Sequence, residues 1–174
     1  MDVLKILAEI ATYARRAILL YRAYAERFSA NPAVSRLRGE MSDAEAGHLA
    51  TLTLAGDPLA LPGNVAPQGD ALPAPPIDAT ERLYQAAEAA AAGGLDLAAA
   101  DETAFRLEQH ELPWIRILLV SLVGRARASI LTGVLPVFST HLDCLETLAT
   151  LSGRSDLTDQ IRALQAEVAT LRTA

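Results

Sequence analysis

Apolar residues recur at spacings of three and four over most of this chain, which is the periodicity that places side chains on one face of an α-helix. The first such run extends from Val3 to Arg27, and a second begins after Asn31 and Pro32, a residue pair that suits a helix cap and a first helical turn. Because short links join antiparallel helices, residues 1–55 are predicted to form a helical hairpin. The predicted inward stripe of its first helix comprises Leu4, Leu7, Ile10, Ala14, Ala17, Ile18, Tyr21 and Ala25.

The middle of the chain breaks this periodicity. Most of the prolines and several glycines fall between Gly56 and Asp78, and such a stretch indicates a long connection. We expect residues 56–94 to cross between the two halves of a bundle, with one short helix over 79–92 that ends at Gly93 and Gly94.

The second half repeats the helical pattern. One helix is predicted from near Asp96 towards Val123 and another over 125–151, so that residues 95–152 form a second hairpin. Pro113 and Pro136 lie inside these helices, where each removes a backbone hydrogen bond, and kinks are expected at both.

A last helix is predicted over residues 153–174, with Ser155 as its cap. Its apolar positions form a narrow stripe that suits packing either on the bundle or on a partner. The stripe consists of Leu157, Ile161, Leu164, Val168 and Leu171. Together these elements predict an all-α, single-domain protein spanning residues 1–174.

Composition agrees with this class and narrows the function. The chain is 51% hydrophobic with few aromatics, which favours close-packed helices over sheet. Its net charge of −6 and its single lysine, Lys5, argue against nucleic-acid binding. A lone Cys144 forms no internal disulfide, the first residues lack the pattern of a signal peptide, and the apolar runs are shorter than a membrane span. We therefore expect a cytoplasmic protein that does not enter a membrane.

One motif carries chemistry. Metal sites in helical bundles of the ferritin-like class place one Glu on each of two helices and a Glu-x-x-His pair on each of the other two, because residues three apart share a helix face. Glu45 and His48 match that pair on the predicted inward face of the second helix. A charged pair on a core-facing stripe requires a partner.

At these residues the chain resembles the rubrerythrin branch of the ferritin-like proteins. The resemblance runs from Leu20-Tyr21-Arg22-Ala23-Tyr24-Ala25-Glu26 through Asn31-Pro32 and Glu40-Met41 to Glu45-x-x-His48-Leu49. In the second half, Ala104 to Glu108 and His141 to Leu148 look like the family's third and fourth helices. The resemblance implies a ferritin-like four-helix bundle of two hairpins joined by the long crossover, with the short helix and the C-terminal helix added.

The repeat also shows what is missing. Glu108 and His141 are 33 residues apart, and counting 34 back from His48 gives Ala14, where the family's first glutamate should stand. Phe138 stands in place of the second Glu-x-x-His glutamate. The remaining ligand set is Glu45, His48, Glu108 and His141.

This reduced set predicts a site for one ion of Fe, Mn or Zn per chain at most, because two glutamates are too few to neutralise two ions. The resemblance implies oxidoreductive chemistry on oxygen or peroxide. Because no rubredoxin-like Cys-x-x-Cys module is present, any turnover would require an external electron donor.

The alternative is a metal-free helical module that acts through protein–protein contacts, as a homodimer through its last helix. Neighbouring polar residues are interpreted more simply. His110 and Glu111 are expected on the surface, with Glu111 kept as a secondary ligand candidate because it lies one turn from Glu108. Cys144 and Trp114 are expected to be core residues, and Tyr21 and Tyr24 to pack in the core or beside the ligands.

Overall fold

The computed structural model describes residues 3–55 and 76–172, and the proline-rich part of the predicted crossover, residues 56–75, lies outside them. The described residues confirm the all-helical class. They form six helices: α1 (Val3–Arg27), α2 (Pro32–Ala55), α3 (Ile77–Gly93), α4 (Leu97–Ser121), α5 (Gly124–Leu151) and α6 (Ser155–Leu171).

The four long helices form a ring in which α1 contacts α2 and α4, and α5 contacts the same two helices. Two side-chain hydrogen bonds show that α1 and α2 are antiparallel, since Ser35 donates to the carbonyl of Ala25 and Ser42 to that of Ile18. Helices α4 and α5 are also antiparallel. Their contacts pair residue 108 with residue 141, and residue 101 with residue 152.

Helix α3 lies against α1 and α4 on the outside of this ring. The ring of Tyr84 stacks on that of Tyr13 with 5.2 Å between centroids, and the indole nitrogen of Trp114 donates to Thr80 at 3.3 Å. Arg16 joins α1 to Glu81 and Glu88 of α3 at 2.5 and 2.7 Å. These contacts hold α3 over the middle of the bundle.

Most helix ends follow the sequence signals. The Asn31 side chain accepts a hydrogen bond from the backbone of Val34, and that of Asp96 accepts one from Ala99 at 2.8 Å. Gly94 ends α3 in the left-handed region with φ of 104°, which favours glycine. The predicted Ser155 cap is wrong, because Arg154 occupies the cap position and Ser155 is the first residue of the helix.

Helix α5 contains a π-helical segment, Ile130–Val134, just ahead of Pro136. Proline lacks the N–H that an α-helix needs, and the wider turn changes the hydrogen-bond register at that point. Helix α4 continues without a break through Pro113. By length and composition, α5 is the one described helix apolar enough to cross a membrane, and its inward face, including Phe138 and Leu142, lies in the core.

The core of α1 is shifted slightly from the predicted stripe. Leu4 is 40% exposed, whereas Ile6, Tyr13 and Tyr24 are buried. Four of the five residues in the predicted stripe of α6, Leu157, Ile161, Leu164 and Val168, are buried within the chain against α4 and α5, and Leu171 is half-buried.

Candidate metal centre

Five acidic and histidine side chains meet in the middle of the ring of helices. Helix α2 contributes Glu45 and His48, α4 contributes Glu108 and Glu111, and α5 contributes His141. Apart from Glu111, whose side chain is 18% exposed, each of these residues is at most 2% exposed. The i,i+3 spacing on α2 and on α4 explains why each helix delivers two groups to one place.

The first group consists of Glu45, Glu108 and His141. The Nδ1 atom of His141 lies 3.3 Å from Oε1 of Glu45 and 3.2 Å from Oε1 of Glu108. These three residues lie on three different helices, and their ligand atoms all fall within 4.8 Å of one another.

The second group consists of Glu45, His48 and Glu111. Here Nδ1 of His48 lies 3.1 Å from Oε1 of Glu111 and 3.5 Å from Oε2 of Glu45. Glu45 therefore belongs to both groups, one carboxylate oxygen facing each histidine.

The histidines are poorly satisfied by hydrogen bonds. Nδ1 of His141 is within hydrogen-bonding distance of Oε2 of Glu108 at 3.3 Å. Nδ1 of His48 is close to two carboxylates but forms a hydrogen bond with neither, and Nε2 of both histidines is buried without a partner, which is uncommon for buried polar atoms. Two atoms bound about 2.1 Å from one metal ion lie about 3.0 Å apart across an octahedral edge and about 3.4 Å apart across a tetrahedral edge. The spacings of 3.1–3.5 Å in both groups therefore fit a transition metal.

The donor types fit as well. Neutral imidazole together with carboxylate oxygen suits Fe, Mn and Zn. The fully buried carboxylates of Glu45 and Glu108 require positive charge nearby, which protonated histidine or a metal ion can supply. Either group can hold a metal ion.

Tyr21 of α1 forms a hydrogen bond with Glu108, one of the candidate ligands. Its hydroxyl donates to Oε1 of Glu108 at 2.6 Å, and its ring lies edge-on to the His141 ring with 6.1 Å between centroids. Burial and the carboxylates of Glu108 and Glu45 raise the pKa of Tyr21 well above its ordinary value. The phenol therefore remains a donor and orients the carboxylate.

The unusual pKa values of the cluster reflect its crowding. Burial lowers the pKa of His141, but Glu108 and Glu45 outweigh this and raise it to about 10. For Glu111, burial together with Glu45 and Glu108 raises the pKa to about 8 against the opposing effect of His48. Burial raises the pKa of Glu45, yet the two histidines bring it below its ordinary value.

A small cavity adjoins the second group. It is bounded by residues of α1, α2, α3 and α4, among them Ala14, Glu45, Tyr84, Glu111 and Trp114. Its volume, measured for the centre of a water molecule, is about 20 Å³. Burial and the carboxylates of Glu45, Glu111 and Glu108 raise the pKa of Tyr84 well above its ordinary value.

The structure brings together all four primary candidates, Glu45, His48, Glu108 and His141. The surface interpretation of Glu111 is wrong, because its carboxylate turns inward to His48. The signal was its position three residues after Glu108, which places both side chains on the same face of α4.

The structure also shows where the other residues discussed from the sequence lie. His110 is half-buried and belongs to neither group. Ala14 lines the cavity and Phe138 is fully buried. Cys144 is buried as expected, and burial raises the pKa of its thiol to about 11. Sequence reasoning did not find Tyr84, because no pattern indicated which face of α3 meets the bundle.

No family model matches the chain, and comparisons with curated proteins and with solved structures found no match. Functional inference therefore depends on the geometry of the cluster.

Proposed function

We propose that this chain is a ferritin-like metal protein related to rubrerythrins, and that its Glu–His cluster binds two transition-metal ions that share the carboxylate of Glu45. The observation that carries the proposal is the division of the cluster into two three-residue groups with Glu45 in common. The helix order, with two antiparallel pairs and α3 between them, supports the ferritin-like part of it.

We include a second ion because Glu111 belongs to the cluster. The sequence predicted at most one ion because it indicated only two glutamate ligands, whereas the cluster contains three glutamates. One bridging and two terminal carboxylates provide three negative charges, and the two imidazoles complete a set of five protein ligands. Each ion then has three protein donors, which leaves positions for water or another small molecule.

Iron in such a site supplies redox chemistry with oxygen or peroxide, which is the activity the resemblance to rubrerythrins implies. The chain's own residues have distinct tasks in it. His48 and His141 each hold one ion, Tyr21 holds Glu108 in place, and the apolar core around the cluster, including Phe138, excludes bulk water.

No specific feature of the described residues favours the alternative hypothesis of a metal-free module. That hypothesis placed the surface for a partner on the last helix, but most of the apolar stripe of that helix is buried within the chain itself. Nδ1 of His48 is moreover buried without a hydrogen bond although it faces Glu111 and Glu45, and an ion between these three groups would give it a partner.

Metal loading tests the proposal. Purified protein is reduced, loaded anaerobically with Fe(II), desalted and analysed for iron beside His48→Ala, His141→Ala and the control His110→Ala. We expect about two ions per chain in the wild type and in the control, and about one in each ligand variant. Absence of iron in the wild type, or equal loss in His110→Ala, would contradict the proposal.

A further inference from the structure

The cavity beside Ala14 is asymmetric with respect to the two ligand groups. Glu111, which belongs to the second group alone, lines it together with the shared Glu45, whereas Glu108 and both histidines do not. An ion held by Glu111 and His48 would therefore have an open side towards this cavity next to Glu111, and an ion held by Glu108 and His141 would not.

Two residues shape this open side. Ala14 of α1 is buried and ends at Cβ, so the space that a longer side chain would fill is free. Tyr84 reaches the same space from α3, and its ring is held by the stack on Tyr13 and by Arg16, whose guanidinium lies 4.9 Å from the ring centroid.

The hydroxyl of Tyr84 is available to a ligand. Among the residues that the structure describes, none forms a hydrogen bond with it, although the side chain is 7% exposed. Tyr84 lines the cavity, so a molecule bound there could accept a hydrogen bond from this phenol.

We propose that this cavity is the binding position for a small exogenous ligand of the His48-side ion, and that Tyr84 is the positioning residue that donates a hydrogen bond to it. The inference rests on the proposed metal centre. A space of about 20 Å³ for atom centres admits a water molecule or a diatomic molecule and excludes larger substrates. Besides water, the cavity therefore admits a diatomic molecule with a hydrogen-bond-accepting atom, and such a molecule is the ligand that we propose.

Nitric oxide is a suitable probe, because it is diatomic, uncharged and changes the visible absorbance of Fe(II) sites. It is titrated anaerobically into the Fe(II)-loaded protein after iron content has been measured. We expect one nitric oxide per chain. Binding should be lost in His48→Ala and retained in His141→Ala, although both variants lose about one iron.

The two cavity residues are tested separately. Tyr84→Phe keeps the ring packing and removes the donor, so nitric oxide should bind roughly three- to tenfold more weakly, the value of one hydrogen bond. Tyr24→Phe, the same change at a buried tyrosine outside the cavity, should leave the affinity unchanged. Ala14→Leu should prevent binding at unchanged iron content, whereas Ala23→Leu on the exposed side of α1 should not.

The outcomes separate the two proposals. Wild-type protein without iron would overturn the metal centre and this inference with it. Wild-type protein with two ions, but with equal nitric oxide affinity in Tyr84→Phe and the wild type, would overturn the inference alone. If His48→Ala retained nitric oxide binding and His141→Ala lost it, the open side would belong to the ion held by His141. That result would also overturn the inference.

Discussion

Oε1 of Glu45 lies 3.3 Å from Nδ1 of His141, across the contact between α2 and α5. The other oxygen of the same carboxylate faces His48, one turn away on its own helix. A single side chain therefore joins two helices and two ligand groups, and its removal should have a different effect from that of either histidine.

Glu45→Ala should lose both ions, since each group is left with one carboxylate and one imidazole. Glu108→Ala and Glu111→Ala should each lose about one. Elemental analysis after Fe(II) loading and desalting measures this, and Glu40→Ala, an exposed carboxylate on α2, is the control. A Glu45→Ala protein that retains one ion would show that the groups are independent.

The metal-free protein should become less stable as pH rises from about 6 to 9. The raised folded-state pKa of His141, about 10 against 6.5, gives stability that is complete below the unfolded value and is lost as pH rises through 10. Glu111 acts in the same direction, since its pKa of about 8 exceeds 4.5. The lowered pKa of Glu45 affects only more acidic solutions.

Urea unfolding of chelator-treated protein at several pH values measures this dependence. The double variant His141→Gln/Glu111→Gln cannot bind these protons, so its free energy of unfolding should vary less with pH over the same range. A wild-type free energy that rises between pH 6 and 9 would contradict the assigned protonation states.

Metal binding should release protons. In the metal-free cluster the pKa of His141 is raised to about 10 and that of Glu111 to about 8, and the carboxylates of Glu111 and Glu45 also raise the pKa of His48 above its ordinary value. The protons on these groups must leave before the groups can act as ligands, so we expect release of at least two protons per chain and an affinity that increases with pH. Calorimetric titration in buffers of different ionisation enthalpy counts the protons, and release of none would contradict the ligand assignment.

Ala14→Glu should add a ligand where the family pattern expects one. Ala14 lines the same cavity as Glu45 and Glu111, so a glutamate there can reach the His48-side ion. Metal affinity should rise at least tenfold, and nitric oxide binding should be lost because the cavity is filled.

Phe138→Glu, the second replacement that the repeat suggests, places a carboxylate at a fully buried position on α5. Unchanged metal affinity in the Ala14→Glu/Phe138→Glu double variant would contradict the alignment of the two halves.

A further prediction concerns the contact between α2 and the π segment of α5. A Cβ at Gly133 would lie 2.6 Å from Cγ2 of Thr51, closer than packed atoms allow. Gly133→Ala should therefore destabilise the protein by about 1–3 kcal/mol, and Thr51→Ala should relieve part of this. Gly39→Ala, on α2 with nothing within 4 Å of the new Cβ, should instead stabilise it by roughly 0.5–1 kcal/mol. Thermal unfolding of Gly133→Ala, Thr51→Ala, the double variant of these two and Gly39→Ala provides the comparison.

The helices and four of the five cluster residues followed from sequence because both depend on local spacing. Helical periodicity fixes which residues share a face, and the i,i+3 pair of Glu45 and His48 needed no tertiary information. The repeat then located Glu108 and His141. The inward position of Glu111 required only the same rule applied to α4.

Other features depend on contacts that no local pattern encodes. The approach of Tyr84 to the cluster requires knowing how α3 lies on the bundle after a connection of many residues. The π segment of α5 precedes Pro136 and contains Gly133, which lies close to Thr51 of the neighbouring helix α2. The burial of the α6 stripe distinguishes packing within the chain from packing on a partner, which the stripe itself cannot do.

The central claim is a pair of ions that share Glu45, and anomalous diffraction from crystals of the iron-loaded protein tests it most directly. We predict two anomalous peaks about 3.5–4 Å apart, one beside His48 and Glu111 and the other beside His141 and Glu108, with Glu45 between them. A cluster without a peak, or iron bound only at the surface, would contradict the proposed metal centre.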